Sequence, residues 1–221
     1  MRIHSMIAAV GIMLASSHMA KAVDLVNLLG SSDDGVNAVN NSNWIANSFT
    51  TTATEYMITD VVLRLSNPSS LATGDFQVAI YTATGAAGRP GTLVSTISTN
   101  SATSLASSAS DFAISGLTTT LEASKKYFLV LKGLTLDNNI SWSFANTATG
   151  IGATTSSFSS STNSGTSWAA TQLGMPDTYK VTATAAVPEP STYALGALAS
   201  GALALAGRRK AAGLILPDPQ S

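Results

Sequence analysis

The groups in this chain that could support acid–base catalysis are mostly carboxylates, and they are scattered. Asp60, Asp75, Asp111, Glu122, Asp137 and Asp177 fall singly at the edges of apolar runs or in turns. A glycosidase needs two carboxyl groups converging across a cleft, and no spacing here pairs any two. Cysteine is absent, which removes thiolate nucleophiles, disulfides and zinc–thiolate sites. The only histidines are His4 and His18, both within an N-terminal export segment argued below. Once that segment is removed, Ser–His and Cys–His nucleophile pairs and His-ligated metals are excluded. Asp24 with Asp33-Asp34-Gly35 offers the oxygen ligands that calcium takes. The spacing is not an EF-hand loop, and Asp-Gly is an ordinary turn pair. No metal or cofactor is assigned, and the chain is read as not an enzyme.

Three tryptophans, Trp44, Trp142 and Trp168, are the other side chains with chemical character. Exposed indoles stack on sugar rings, whereas buried ones fill cores. Trp142 alternates with Phe144 in a run of strand period, which assigns it to a core. Trp168 follows the turn signal Asn163-Ser164-Gly165 and is the better ligand candidate, with Trp44 beside it as a possible glycan-binding residue.

The elements that must hold these residues are strands. Between residues 23 and 185 the apolar period is 2, not 3.6. Residues 58–65 put Val61, Leu63 and Leu65 on one face, and residues 76–82 put Phe76, Val78 and Ile80 on one face. Residues 93–98, 111–114, 127–131, 140–144 and 179–184 continue the series. Turn signals such as Asn67-Pro68, Thr73-Gly74, Gly88-Arg89-Pro90-Gly91 and Asp137-Asn138-Asn139 separate them. The run Tyr127-Phe128-Leu129-Val130-Leu131 has no polar alternation and is expected to be central, covered on both faces. Residues 116–124 read as a strand and turn leading into it. Residues 146–167, nearly all Ser, Thr, Gly, Ala and Asn, read as a long hairpin or loop of weak register. Seven to nine short strands at this spacing predict an all-β fold, an antiparallel β-sandwich of jelly-roll type over residues 23–185.

Composition agrees with an exported β-rich protein. Of 221 residues only 10% are charged, against about 25% in an average domain. The formal net charge is -1 and no basic stripe appears between Asp24 and Ala185. Nucleic-acid binding, which needs clustered Lys and Arg to displace counterions, is excluded as a partner class.

Both ends carry targeting patterns. Residues 1–22 read as a signal peptide: Arg2 begins it, residues 6–15 (MIAAVGIMLA) form its apolar stretch, and Ala20 and Ala22 are the small residues a signal peptidase accommodates. Cleavage is expected before Val23. Residues 186–192 form a linker holding Val187, Pro188, Glu189, Pro190, Ser191 and Thr192, whose two prolines forbid helix interior and central strand. Residues 193–207 are charge-free and rich in Ala, Leu and Gly, and are expected to form a single transmembrane helix. Arg208, Arg209 and Lys210 then act as a stop-transfer cluster, and the positive-inside rule keeps residues 208–221 cytoplasmic. From Ser191 to Gly207 a helix covers roughly 25 Å, slightly less than a hydrocarbon core. That length fits a transient inner-membrane anchor better than a permanent one.

The order Val-Pro-Glu-Pro-Ser-Thr, apolar stretch, Arg-Arg-Lys resembles the PEP-CTERM sorting signal of exopolysaccharide-producing Gram-negative bacteria. The resemblance implies processing by an exosortase, a membrane-embedded transpeptidase, near the Pro-Glu-Pro motif. It also implies delivery to the outer surface or extracellular matrix. Family members usually stop just after the bases, whereas this chain continues through residues 211–221.

The middle of the chain resembles the choice-of-anchor domains, type R in particular. Asn43-Trp44-Ile45-Ala46-Asn47 with Phe49, residues 61–65 and residues 76–81 carry part of the likeness. Gly88-Arg89-Pro90-Gly91, residues 126–131 and Gly165-Thr166-Ser167-Trp168 carry the rest. It implies an extracellular β domain ahead of an interchangeable anchor, and no catalysis. The expectation is thus a non-catalytic surface or matrix protein. A carbohydrate-binding module tethering to exopolysaccharide is the alternative, and a carboxylate-only glycoside hydrolase the remote one.

Overall fold

The computed structural model describes residues 21–173 and 175–186. The signal segment through Ala20, the sorting motif from Val187 to Thr192, the expected transmembrane helix at 193–207 and the Arg208, Arg209, Lys210 cluster lie outside the described residues. Among those described, no helix is long and apolar enough to cross a membrane.

Twelve strands run from Ala22 to Ala185: β1 Ala22–Asn27, β2 Gly35–Val39, β3 Trp44–Thr50, β4 Tyr56–Ser66, β5 Asp75–Thr82, β6 Leu93–Ser101, β7 Ser110–Leu121, β8 Lys126–Gly133, β9 Ile140–Phe144, β10 Ser157–Ser161, β11 Gln172–Leu173 and β12 Tyr179–Ala185. They form two six-stranded antiparallel sheets. One has the order β1-β12-β4-β9-β2 with β7 on the other edge of β4, and the second has the order β11-β10-β3-β8-β5-β6. The pairs nest: β5–β6 lies inside β4–β7, which lies inside β3–β8, then β2–β9, with successive pairs alternating between sheets. We call the sheets A and B in the order given.

The inner faces of A and B share one core. Val61, Leu63 and Leu65 of β4 meet Phe76, Val78 and Ile80 of β5 and Leu129 and Leu131 of β8, all fully buried. Ile58 is also buried although it lies three residues from Val61, out of phase with a period of 2. Both ladders of β4 slip between Ile58 and Asp60, so a β-bulge turns Ile58 back into the core. Trp142 is completely buried, packs edge-to-face on Tyr179 with centroids 6.1 Å apart, and donates its indole N–H to the Thr178 carbonyl at 3.0 Å. Residues 127–131 sit in the middle of sheet B and are buried on both faces, as expected from their unbroken apolar run.

Three expectations need correction. Among the described residues the strands number twelve: β1, β2, β3, β10 and β11 join the seven runs marked by their apolar period, and their own apolar residues are too sparse or too irregularly spaced to mark them. Residues 146–167 are not one loop: β10 lies inside them and pairs with β3 on one side and with the two-residue β11 on the other. Its buried Ser157, Ser159 and Ser161 are satisfied by hydrogen bonds instead of apolar packing. Residues 116–121 are not a separate strand but the second half of β7, whose ladder with β4 slips at the Ile58 bulge near Gly116, at φ +75°.

Candidate functional site

The outer face of sheet B is where the chain's unusual chemistry collects. Period-2 alternation along β8 sends Lys126, Phe128, Val130 and Lys132 outward while Tyr127, Leu129 and Leu131 face the core. β3 adds Trp44 and Ala46 to this outer face, and β5 adds Ala79 and Tyr81. Ala46, Phe128 and Val130 make a second, smaller apolar cluster there, and Trp168 packs onto it together with Tyr81 and Ala83.

Trp168 is half-buried and lies in the segment following β10, which folds back on sheet B: the Ala169 N–H donates to the Ser160 carbonyl at 2.7 Å. Across from it stands the turn between β5 and β6. Arg89 in that turn donates from Nη1 to the Trp168 carbonyl at 2.6 Å. Its Nε is shut off from solvent and has no acceptor. Between the two segments is a cleft of about 320 Å³ lined by Gly85, Ala86, Arg89, Thr166, Ser167 and Trp168 among others. A second cleft of about 360 Å³ also touches this turn, lined by Thr82, Thr84, Glu122, Lys125 and Lys126 among others. Both volumes fall within the range of small-molecule sites.

Trp44 is differently placed. Its indole N–H donates to the Asn41 carbonyl at 3.0 Å, and the Lys132 ammonium lies 5.0 Å from its ring centroid. Lys132 is also 5.7 Å from the Tyr81 ring and donates to the Tyr81 hydroxyl at 3.3 Å, so it sits in an aromatic cage and is nearly buried. Gly165, at φ +79°, approaches the Trp44 ring so closely that a Cβ there would overlap it. The indole of Trp44 is thus engaged by its own chain.

Charge divides between the sheets. On sheet A, Arg64 pairs with Asp111 at 2.9 Å and Asp33 at 3.5 Å, and Lys180 pairs with Asp24 at 3.2 Å. On sheet B, Arg89, Lys126 and Lys132 form no salt bridge among the described residues. Lys126 instead donates to Ser157 Oγ at 3.0 Å and lies over the Phe128 ring at 5.3 Å, and burial lowers its pKa. Cations dispersed along the sequence are therefore gathered on one face by strand and turn geometry, a juxtaposition that a search for a linear basic stripe misses.

Several of the carboxylates take separate partners. Asp137 accepts from the Thr73 N–H and hydroxyl, Glu122 lies 3.9 Å from Lys125, and Asp111 is held by Arg64. Asp24, Asp33 and Asp34 likewise divide among different partners: Asp34 accepts from Ser32 and the Asn146 N–H, Asp24 from Asn27 and Thr182. Among the described residues no three His, Cys, Asp or Glu side chains cluster in a way that could hold a metal.

Asp177 is the exception in environment. It is fully buried, accepting from Asn47 Nδ2 at 2.6 Å and Asn37 Nδ2 at 2.8 Å. Burial pushes its pKa up to about 7 against the hydrogen bonds that favour the charged form. Asn37 belongs to sheet A and Asn47 to sheet B, so the carboxyl ties the two sheets together. Nothing in the local sequence around Asp177 marks it, because its partners are 140 and 130 residues away.

Comparison with protein families matches residues 186–210 to the PEP-CTERM protein-sorting motif. The match contains the Pro188-Glu189-Pro190 core and ends on Lys210. It implies an exported protein processed by an exosortase. No curated protein matches the chain.

Proposed function

We propose that the chain is a non-catalytic β-sandwich of the cell surface or extracellular matrix, delivered there by exosortase processing of its PEP-CTERM tail. The observation that carries this reading is the sorting motif over residues 186–210, directly after the last strand of the sandwich. Signal peptidase acts first, after Ala22, and the helix at 193–207 then holds the chain transiently in the inner membrane with Arg208, Arg209 and Lys210 on the cytoplasmic side. The nested strand pairing supports the jelly-roll reading and is compatible with a choice-of-anchor type R domain. The non-catalytic role is supported by the separate structural engagements of Asp137, Asp111 and Asp177. The mass of the mature protein isolated from its native host tests the life cycle. A polypeptide beginning at Val23 and ending near Pro190 is expected; a product retaining residues 193–210 would overturn the processed-anchor reading.

A second reading, carbohydrate binding, is favoured by one specific observation: Trp168 lines an open cleft on the outer face of sheet B. Trp44, with Lys132 and Gly165 against its ring, contributes through its packing beneath that region, not as a stacking platform.

A further inference from the structure

Resting on the carbohydrate-binding reading, we propose that the cleft between residues 85–91 and 165–168 takes an acidic sugar, a carboxylate-bearing pyranose unit of a polyuronate-type polymer. Arg89 binds the carboxylate and Trp168 contacts the ring.

The guanidinium carries five donors in a planar fork, and its Nε and Nη2 edge matches a carboxylate bidentately. In Arg89 the Nη1 end is already committed to the Trp168 carbonyl, which fixes the plane of the fork at the cleft. Nε, on the remaining edge, has no acceptor although it is closed to solvent. A buried donor without a partner is costly, and an anionic ligand supplies what is missing once the cleft wall shifts enough to admit a carboxylate oxygen to this edge. Trp168 lines the same cleft as Arg89, so an apolar ring and a cation meet there, which is the pairing that a uronate presents in reverse.

The charge asymmetry argues for an anion over a neutral sugar. Sheet A neutralises its cations with carboxylates; at sheet B the one pair among the described residues is Lys125 with Glu122, and Arg89, Lys126 and Lys132 have none. Lys126 lines the second cleft, and Thr84 of that cleft is followed directly by Gly85 of the first. Both clefts thus touch one turn, and Lys126, beside the Glu122–Lys125 pair of the second, is a further cation that a polymer carrying a carboxylate on successive units would meet.

The test is affinity electrophoresis of the purified protein at pH 7 through gels containing polygalacturonate or uncharged dextran, at low salt and at about 0.5 M NaCl, where the Debye length is only a few Å. Retardation by polygalacturonate, weakened by salt and absent with dextran, is expected. Arg89→Gln and Trp168→Ala should each weaken it about tenfold or more, and Arg89→Lys should restore little, since an ammonium lacks the fork. Arg89 also holds the Trp168 segment, so Ala86→Glu supplies an independent variant: Ala86 is exposed on the cleft wall, and a new carboxylate there should abolish retardation without removing any contact. Lys180→Gln on sheet A should leave retardation unchanged. Equal retardation of wild type and Ala86→Glu overturns the site. Trp168-dependent retardation by dextran alone overturns the anionic assignment but leaves carbohydrate binding standing, and no retardation by either polymer overturns both.

Discussion

Asn47 and Asp177 hold each other reciprocally: the Asn47 amide donates to Asp177 Oδ2 at 2.6 Å, and the Asp177 backbone N–H donates back to Asn47 Oδ1 at 3.0 Å. With Asn37 on the other carboxyl oxygen, this arrangement is a polar tie across a mostly apolar interior. It is satisfied only if both sheets are in register, so it acts on specificity of packing as much as on stability.

The tie makes stability depend on pH with a definite sign. The Asp177 carboxyl titrates near 7 when folded and near 3.9 when unfolded. Between these values the folded state binds the extra proton, so its contribution is fully present below about pH 4 and is lost as pH rises through about 7. The full shift corresponds to something on the order of 4 kcal/mol. Asp24 acts in the opposite direction: burial opposes ionisation, but hydrogen bonds from Asn27, Thr182 and Lys180 hold its pKa below the usual carboxylate range. Its contribution is lost only at acidic pH. Urea midpoints measured at pH 5, 6, 7 and 8 should therefore fall toward pH 8, and Asp177→Asn should flatten that slope.

Removing the partner instead of the charge should be worse. Asn47→Ala leaves Asp177 with one side-chain donor and its own N–H without an acceptor, at a cost of about 2–3 kcal/mol, since buried polar groups lose their hydrogen bonds without regaining water. Chemical denaturation at pH 6 reads this directly. A change below about 0.5 kcal/mol would show the tie to be dispensable.

Tyr179 donates its hydroxyl to the Ser48 carbonyl at 2.6 Å, a second link from sheet A to sheet B. Tyr179→Phe should cost about 1–2 kcal/mol, because Ser48 loses a buried donor while the ring still packs on Trp142. Near-ultraviolet circular dichroism should keep the tryptophan signature in this variant and lose it in Trp142→Ala, which should cost about 3–5 kcal/mol.

Gly165 is required by space and by backbone conformation. At φ +79° and against the Trp44 ring, Gly165→Val should displace the segment carrying Trp168 and open the region to solvent. Acrylamide quenching of tryptophan fluorescence should rise, with the unfolding midpoint reduced by the equivalent of about 1–3 kcal/mol.

For the sorting tail, replacing Pro188, Glu189 and Pro190 with Ala should leave a full-length, membrane-retained protein in the native host. Fractionation followed by intact mass is the measurement. Unchanged processing would remove the role assigned to the motif.

Much of the sandwich is legible in the sequence because burial leaves a period there. Val61, Leu63 and Leu65, or Phe76, Val78 and Ile80, advertise one inner face each, and residues 127–131 advertise burial on two. β3 and β10 are hidden for the converse reason. Their buried positions include Asn47, Ser48, Ser157 and Ser159, which enter the interior through hydrogen bonds that a hydropathy pattern cannot register. The bulge after Ile58 breaks the period where the strand bends. Trp168 stands out as a lone aromatic after a turn, but Arg89 reads as part of a Gly-Pro turn, because its partner lies 79 residues on. Asp177 is one scattered acid among six until the chain brings two asparagines to it.

The last strand of the fold is an interior one. β12 is paired with β1 on one edge and with β4 on the other, and the Ala186 N–H adds a bond to the Glu55 carbonyl. A chain tethered through the residues that follow Ala186 takes its load on β12. Drawn along its own axis, that strand must slide past two ladders at once, so many hydrogen bonds resist together instead of opening singly from an edge. The sandwich thus resists load along the direction in which a tether following Ala186 would pull.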